Sequence, residues 1–258
     1  MSVLSQRSAR LDLARSAAVV VMAVVQIVSA AFSGGRQGAV AQQYATPLLA
    51  AGWAFSIWGL IYLGFLAYAV YQVLPAQRGR EIHRRTGWWA VVTGVCNATW
   101  ILAFGAGLIL VAEILLIVLM VALAVIFGRL SRERAADVTE RVLMRGPLAL
   151  YAGWTSLALV LGTAATGVWA GLPGDNALAV IAAVVVLLAA TGIVSWVVVN
   201  GTAVVPYAAA TMWALVGIAL NDPPAPVVIT GAIAIVVILV ATLRRVGSAA
   251  SAVRAAWG

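Results

Sequence analysis

Lysine is absent from the 258 residues, and all sixteen basic side chains are Arg. That removes a retinal Schiff base, a lysine nucleophile and a Walker-type phosphate loop, each of which needs a Lys. A single Cys, Cys96, excludes an intramolecular disulfide and a multi-thiolate metal site. A single His, His83, excludes a centre built on several imidazoles. No metal centre and no covalent cofactor is expected. Charge is scarce as well: 9% of residues are charged against 64% hydrophobic, with a mean hydropathy of +1.06. No soluble globular class fits those proportions, and a polytopic membrane protein does. The pI near 10.8 would suit nucleic acid. The Arg residues, however, sit in short segments between apolar runs, where topology explains them, so no nucleic-acid partner is expected.

What is present is a series of apolar runs bounded by Arg, Gly, Pro and Asp. Eight of them, at 12–33, 48–74, 86–106, 108–128, 147–171, 177–199, 203–220 and 225–243, are each near the ~20 residues a helix needs to cross a bilayer. The expected fold class is all-α, a polytopic membrane helical bundle forming one membrane domain over 1–258. The Arg distribution tests the count. With the N-terminus in the cytoplasm, the groups at Arg7, Arg10 and Arg15, at Arg78 to Arg85, at Arg129 to Arg145, and at Arg244, Arg245 and Arg254 all lie inside, and Arg36 alone lies outside. That is the asymmetry of the positive-inside bias, and removing one span would put the last Arg group on the wrong side. Both termini are therefore assigned to the cytoplasm. The first run has no small-residue cleavage pattern and reads as a retained span. The segment 129–145 alternates Arg with Glu133, Asp137 and Glu140; it reads as a solvated connector or as an extension of the fourth helix with pairs such as Arg129 and Glu133. His83, flanked by Arg80, Glu81, Arg84 and Arg85, reads as a loop residue near lipid headgroups.

Within the spans a few residues ask for a reason. In the stretch from Pro47 to Tyr71, helical spacing puts Phe55, Trp58, Tyr62 and Phe65 on one face, either as a packing stripe or as one wall of a pocket for a flat apolar ligand. Glu113 is the one carboxylate well inside a span, roughly 9 Å deep at 1.5 Å per residue. Such a group is expected to face the bundle interior with a partner, in a functional or a structural role. Asn97 lies near mid-membrane and shares a face with Trp100 and Phe104; it either meets a ligand or holds two helices together. Trp88, Trp89, Trp169 and Trp196 fall at span ends, as an interfacial belt requires. Trp53, Trp58, Trp100, Trp154 and Trp213 fall deeper, with indole N–H groups expected to point inward. Gly59, Ala158, Gly162 and Gly217 are expected to let helices approach closely.

Three blocks then carry a family resemblance. Gly52, Trp53, Phe55, Trp58 and Tyr62 come first; Asn97, Trp100 and Phe104, with Gly107, Leu108 and Glu113, second; Tyr151, Trp154, Ser156 and Ala158 third. Together, over about residues 12–171, they resemble the tryptophan-rich sensory protein family, bacterial relatives of the translocator protein once called the peripheral benzodiazepine receptor. The family core has five helices, so spans at 177–243 are three additional ones and the chain reads as a long, eight-span relative. Glu113 stands one position after the family's Asp, and Gly162 stands where an Asn usually follows the fifth-helix motif. No Tyr then Arg follows Trp154, so the cholesterol motif of the animal members is absent. The resemblance implies a bound porphyrin, haem or related tetrapyrrole in a pocket of Trp53, Phe55, Asn97, Trp100, Tyr151, Trp154 and Ala158. To these the residues themselves add Trp58, Tyr62 and Glu113.

The leading expectation is a multi-pass binding protein or sensor for a flat hydrophobic ligand, most simply a porphyrin, in a bacterial cytoplasmic membrane. The alternative is a small secondary transporter of an amphiphile or cation with Glu113 as coupling acid. A membrane enzyme is a third reading, against which the shortage of His, Lys and Cys argues. A purely structural partner subunit is the last. Membrane lipids and a hydrophobic small molecule are the expected partners, and a homodimer is left open.

Overall fold

The computed structural model describes the backbone of residues 3–258 and the side chains from residue 9 onward, so Arg7 lies outside the described side chains. In chain order the helices are α1 (Val3–Ser33), α2 (Arg36–Gln43), α3 (Ile57–Val73), α4 (Pro75–Arg78), α5 (Glu81–Gly105), α6 (Ile109–Arg132), α7 (Val138–Glu140), α8 (Gly146–Trp169), α9 (Ala177–Asn200), α10 (Val204–Ala219), α11 (Ala225–Ser248) and α12 (Ala252–Trp257). Among the described residues there is no strand, as a chain that must satisfy its backbone inside hydrocarbon requires. Seven of the long segments are long and apolar enough to cross a membrane, and α10 is a shorter apolar helix of 16 residues, about 24 Å. Ten residues of α10 are buried, so protein rather than lipid covers most of it. Among the described residues the fold is thus an all-α, polytopic bundle of seven long apolar segments and the shorter α10.

The breaks between helices have local causes. After α5, Gly107 adopts φ +76° and the Leu108 N–H returns to the Ala103 carbonyl at 2.9 Å, a left-handed helix stop that separates α5 from α6. Residues 44–51 are not helical, contrary to the expected span from 48: a 3₁₀ turn over Gly52–Ser56 precedes α3. Pro47 disfavours helix at Thr46, and α10 satisfies the backbone groups so released. Ala51 N–H donates to the Gly217 carbonyl (2.9 Å), Asn221 Nδ2 to the Leu49 carbonyl (3.0 Å) and Trp213 Nε1 to the Ala54 carbonyl (2.8 Å). Close approach makes this pairing feasible. A Cβ on Gly217 would lie 2.5 Å from the Ala54 Cβ, and one on Gly153 of α8 would run into the Tyr207 carbonyl of α10. Gly59, expected at such a crossing, has nothing within 4 Å of its Cβ position.

The Arg-rich end departs most from expectation. Segment 129–145 combines the two expected readings and adds a buried element: the helix continues past 128 to Arg132, residues 134 and 136–139 are exposed, and from Val138 the chain is helical again and runs into α8. α6 stops at Arg132, Glu133 pairs with Arg85 (2.9 Å), and Glu140 is fully buried between Arg80 (2.6 Å) and Arg145 (2.8 Å). Arg145, 1% exposed, also donates through Nη1 to the carbonyls of Leu130 (2.6 Å) and Glu133 (2.8 Å), while its Nη2 is buried without a protein partner. A second cluster joins Asp12 to Arg15 (2.9 Å) and Arg84 (2.6 Å), which pins α1 to α5. His83 belongs to α5 and is buried against Tyr68 and Tyr71, with ring centroids 6.2 and 5.7 Å away, not placed in an exposed loop.

Removing one member of a buried ion cluster strands the others in low dielectric. Glu140→Ala is therefore expected to cost about 3–5 kcal/mol of stability. Glu81→Ala, whose partner is an exposed Arg85, is expected to leave stability almost unchanged. Thermal unfolding of the two variants in the same detergent is the measurement; equal midpoints would contradict the buried cluster.

Candidate functional site

At the end of the bundle opposite the Arg-rich clusters, α3, α5 and α8 bring six aromatic rings together. Trp58 stacks on Tyr62 (centroids 5.6 Å, planes 23° apart). It also meets Trp100 (5.7 Å), Tyr151 (5.8 Å) and Trp154 (6.1 Å). Phe55, delivered by the 3₁₀ turn, packs edge-on against Trp154 at 5.8 Å. Trp100 stacks on Phe104, one helical turn along α5, at 5.5 Å and 10°.

Against this wall lie two adjacent lobes that share the lining residues Gln37, Ala41, Leu49, Phe55, Trp58 and Trp100. The wider, about 310 Å³, reaches the lower end of the range occupied by small-molecule sites. The narrower, about 60 Å³, runs between Phe104, Trp154, Ala158 and the α6 residues Ala112 and Glu113. Helix α2 crosses the mouth of both. It is fastened by Gln37, whose Nε2 donates to the Ile101 carbonyl (3.1 Å) and whose Oε1 accepts from the Ser33 hydroxyl (3.1 Å). Beneath the rings sits a polar floor. The Gln26 Oε1 of α1 accepts from Asn97 Nδ2 (2.9 Å) and from the Tyr151 hydroxyl (3.2 Å), so one amide ties α1, α5 and α8 together. Asn97 Oδ1 and Trp154 Nε1 are buried there without a protein partner.

The ten residues singled out from the sequence divide as follows. Phe55, Trp58, Trp100, Glu113, Trp154 and Ala158 line the narrow lobe, and Tyr62 lines the wide one. Asn97 and Tyr151 lie one layer below, in the polar floor. Trp53 is not on the cavity: 43% exposed, it packs edge-on against Trp213 at 4.9 Å on the side of α10. Trp53 does not point inward as expected, because it belongs to a 3₁₀ turn whose facing differs from that of a helix, whereas Trp213, 38% exposed, still turns its N–H to the Ala54 carbonyl. Gln26 and Gln37 went unnoticed. Gln26 carried the same signal as Asn97, an amide inside an apolar run, whereas nothing local marks Gln37 as folding back over α5.

Glu113 is 8% exposed and turns toward α8, with Oε1 2.5 Å from the Thr163 hydroxyl. A Cβ at Gly162 would stand 2.6 Å from Oε2. The missing side chain at Gly162 is thus the space that the Glu113 carboxylate occupies.

The sequence profile of the family described as TSPO-like protein matches residues 12–244, a range that takes in the long helices from the first to the eighth. No curated protein and no solved structure matches the chain.

The Glu113 and Gly162 contact makes a coupled pair. Gly162→Ala alone is expected to lower the thermal midpoint, and in a Glu113→Ala background the same change is expected to cost less, with only the Leu116 Cδ2 contact at 3.0 Å remaining, a coupling of about 0.5–3 kcal/mol. A double-mutant cycle read by thermal unfolding in detergent checks this, and additive effects would refute it.

Proposed function

Because the chain belongs to the TSPO-like protein family, we propose that this multi-pass membrane protein binds a flat hydrophobic ligand of the porphyrin type in the aromatic cavity. A bacterial cytoplasmic membrane is the proposed location. The observation that carries the reading is the convergence of Phe55, Trp58, Trp100, Phe104 and Trp154 on one cavity, above a buried polar floor. Ring faces offer dispersion and offset stacking to a macrocycle. Gln37 and Glu113 on the lining, and the Trp154 indole N–H without an acceptor, offer hydrogen bonds to its polar edge. The narrow lobe must widen to admit a macrocycle, and α2 is the element that can do so without breaking the long helices, because Gln37 and its neighbours hold it by few contacts.

A second reading has one observation in its favour: Glu113 lines the same cavity and engages α8 through Thr163. A carboxylate so placed could couple ligand movement to proton movement, as in a small secondary transporter.

The test is a titration of the detergent-solubilised protein with protoporphyrin IX, followed by Trp fluorescence quenching and by a shift of the porphyrin absorption band. Saturable quenching is expected. Trp100→Ala is expected to weaken affinity about tenfold, the upper end of what one aromatic pair contributes, while Trp53→Ala leaves it unchanged. Equal effects of the two variants, or no saturation, would sink the assignment. Glu113→Gln is expected to alter binding modestly; in proteoliposomes, loss of pH-driven porphyrin uptake in that variant with binding retained would select the transporter.

A further inference from the structure

At the Arg-rich end, away from the aromatic cavity, a second and larger hollow of about 580 Å³ opens between the ends of α6, α9 and α11 and helix α12. Four Arg residues line it: Arg134, Arg141, Arg245 and Arg254. No Asp or Glu does. The acids of this end are committed elsewhere: Asp12 to Arg15 and Arg84, Glu81 and Glu133 to Arg85, Glu140 to Arg80 and Arg145. Asp137 accepts the Glu140 N–H at 2.7 Å. The pocket cations are held by backbone instead. Arg245 donates to the Gly201 carbonyl (3.1 Å) and Arg141 to the Gly258 carbonyl (3.0 Å), while Arg254 Nε is buried without an acceptor. The Gly201 carbonyl orients a guanidinium without neutralising it, and a carboxylate at Gly258, the last residue, offsets at most one of the four Arg, so the hollow keeps a net positive charge.

Ser131 and Asn200 also border a neighbouring groove of about 380 Å³, which is apolar in character. It runs between α6 and α9, lined by Met120, Ala124, Phe127, Trp196 and Val197. A guanidinium-lined pocket that opens onto an apolar groove on the flank of a membrane bundle has the shape of an amphiphile: an anionic head and a hydrocarbon tail. The geometry points to a binding site for an anionic phospholipid of the cytoplasmic leaflet, its phosphate among Arg134, Arg141, Arg245 and Arg254 and one acyl chain in the groove. A free phosphate would use the pocket alone and leave the groove without a purpose. The site is independent of the aromatic cavity and of what that cavity binds.

The full chain, delipidated in detergent, is mixed with dioleoyl phosphatidylglycerol or dioleoyl phosphatidylcholine, and retained lipid is counted by native mass spectrometry. One phosphatidylglycerol is expected to stay bound at concentrations where phosphatidylcholine does not. The double variant Arg134→Gln with Arg254→Gln is expected to lower retention about tenfold or more. Arg10→Gln with Arg78→Gln, which removes the same charge from that end outside the pocket, is expected to retain wild-type binding. Trp196→Ala is expected to weaken the lipid but not inorganic phosphate. Equal retention of the two lipids, or equal loss in both double variants, would overturn the site as mere surface attraction. Displacement of the lipid by millimolar inorganic phosphate, with the Trp196 variant unaffected, would overturn the lipid as its occupant.

Discussion

A polar group carried into hydrocarbon must find its partner within the protein, and that demand places the contacts on which this bundle depends. Gln26, Asn97 and Tyr151 answer it at mid-depth, drawing α1, α5 and α8 onto one amide oxygen. The unwound residues before α3 answer it sideways, through Ala51, Leu49 and Ala54, all bonded to α10 or the turn that follows it. Interhelical polar contacts of this kind average only about 0.6 kcal/mol each. Their value lies in direction: they set which faces meet, and close packing at Gly153 and Gly217 then brings α10 near enough to complete them.

The cavity follows from that arrangement. Phe55 reaches Trp154 because the 3₁₀ turn aims it there, and α10 holds the turn. Helix α10 is therefore structurally continuous with the edge of the aromatic site, consistent with a family match that runs to residue 244. On the opposite wall a longer acid at Glu113 and a missing side chain at Gly162 compensate each other in volume. Walls of aromatic faces over a polar floor suit a ligand that is flat, apolar and polar only at its rim.

The Arg-rich end treats charge in two different ways. Around Glu140 and Asp12 each guanidinium has a carboxylate partner, and those clusters act as staples between α1, α5 and the start of α8. Around Arg245 and Arg254 the protein supplies no Asp or Glu side chain, although the cost of gathering like charges is the same. The contrast between paired and unpaired Arg, more than their number, separates fold from binding at that end.

Helix number and kind were legible in the sequence because crossing a bilayer is a local requirement, met by composition over some twenty residues. The Arg count supported the even number of crossings for the same reason. Asn97, Glu113 and the Trp58 to Trp100 group stood out because polar or bulky aromatic residues are conspicuous in an Ala- and Val-rich span. Other features depended on residues far away in the chain. His83 and Glu140 look solvated among their charged neighbours, yet they are buried, because Tyr68 and Tyr71 in one case and Arg80 in the other come from separate segments. Trp53 left the aromatic face because backbone released near Pro47 found its acceptors and donors on α10. Local composition thus determined what must lie in the membrane; only the tertiary structure decided which side chains face one another, since that depends on long-range pairing and on the few glycines that let two helices touch.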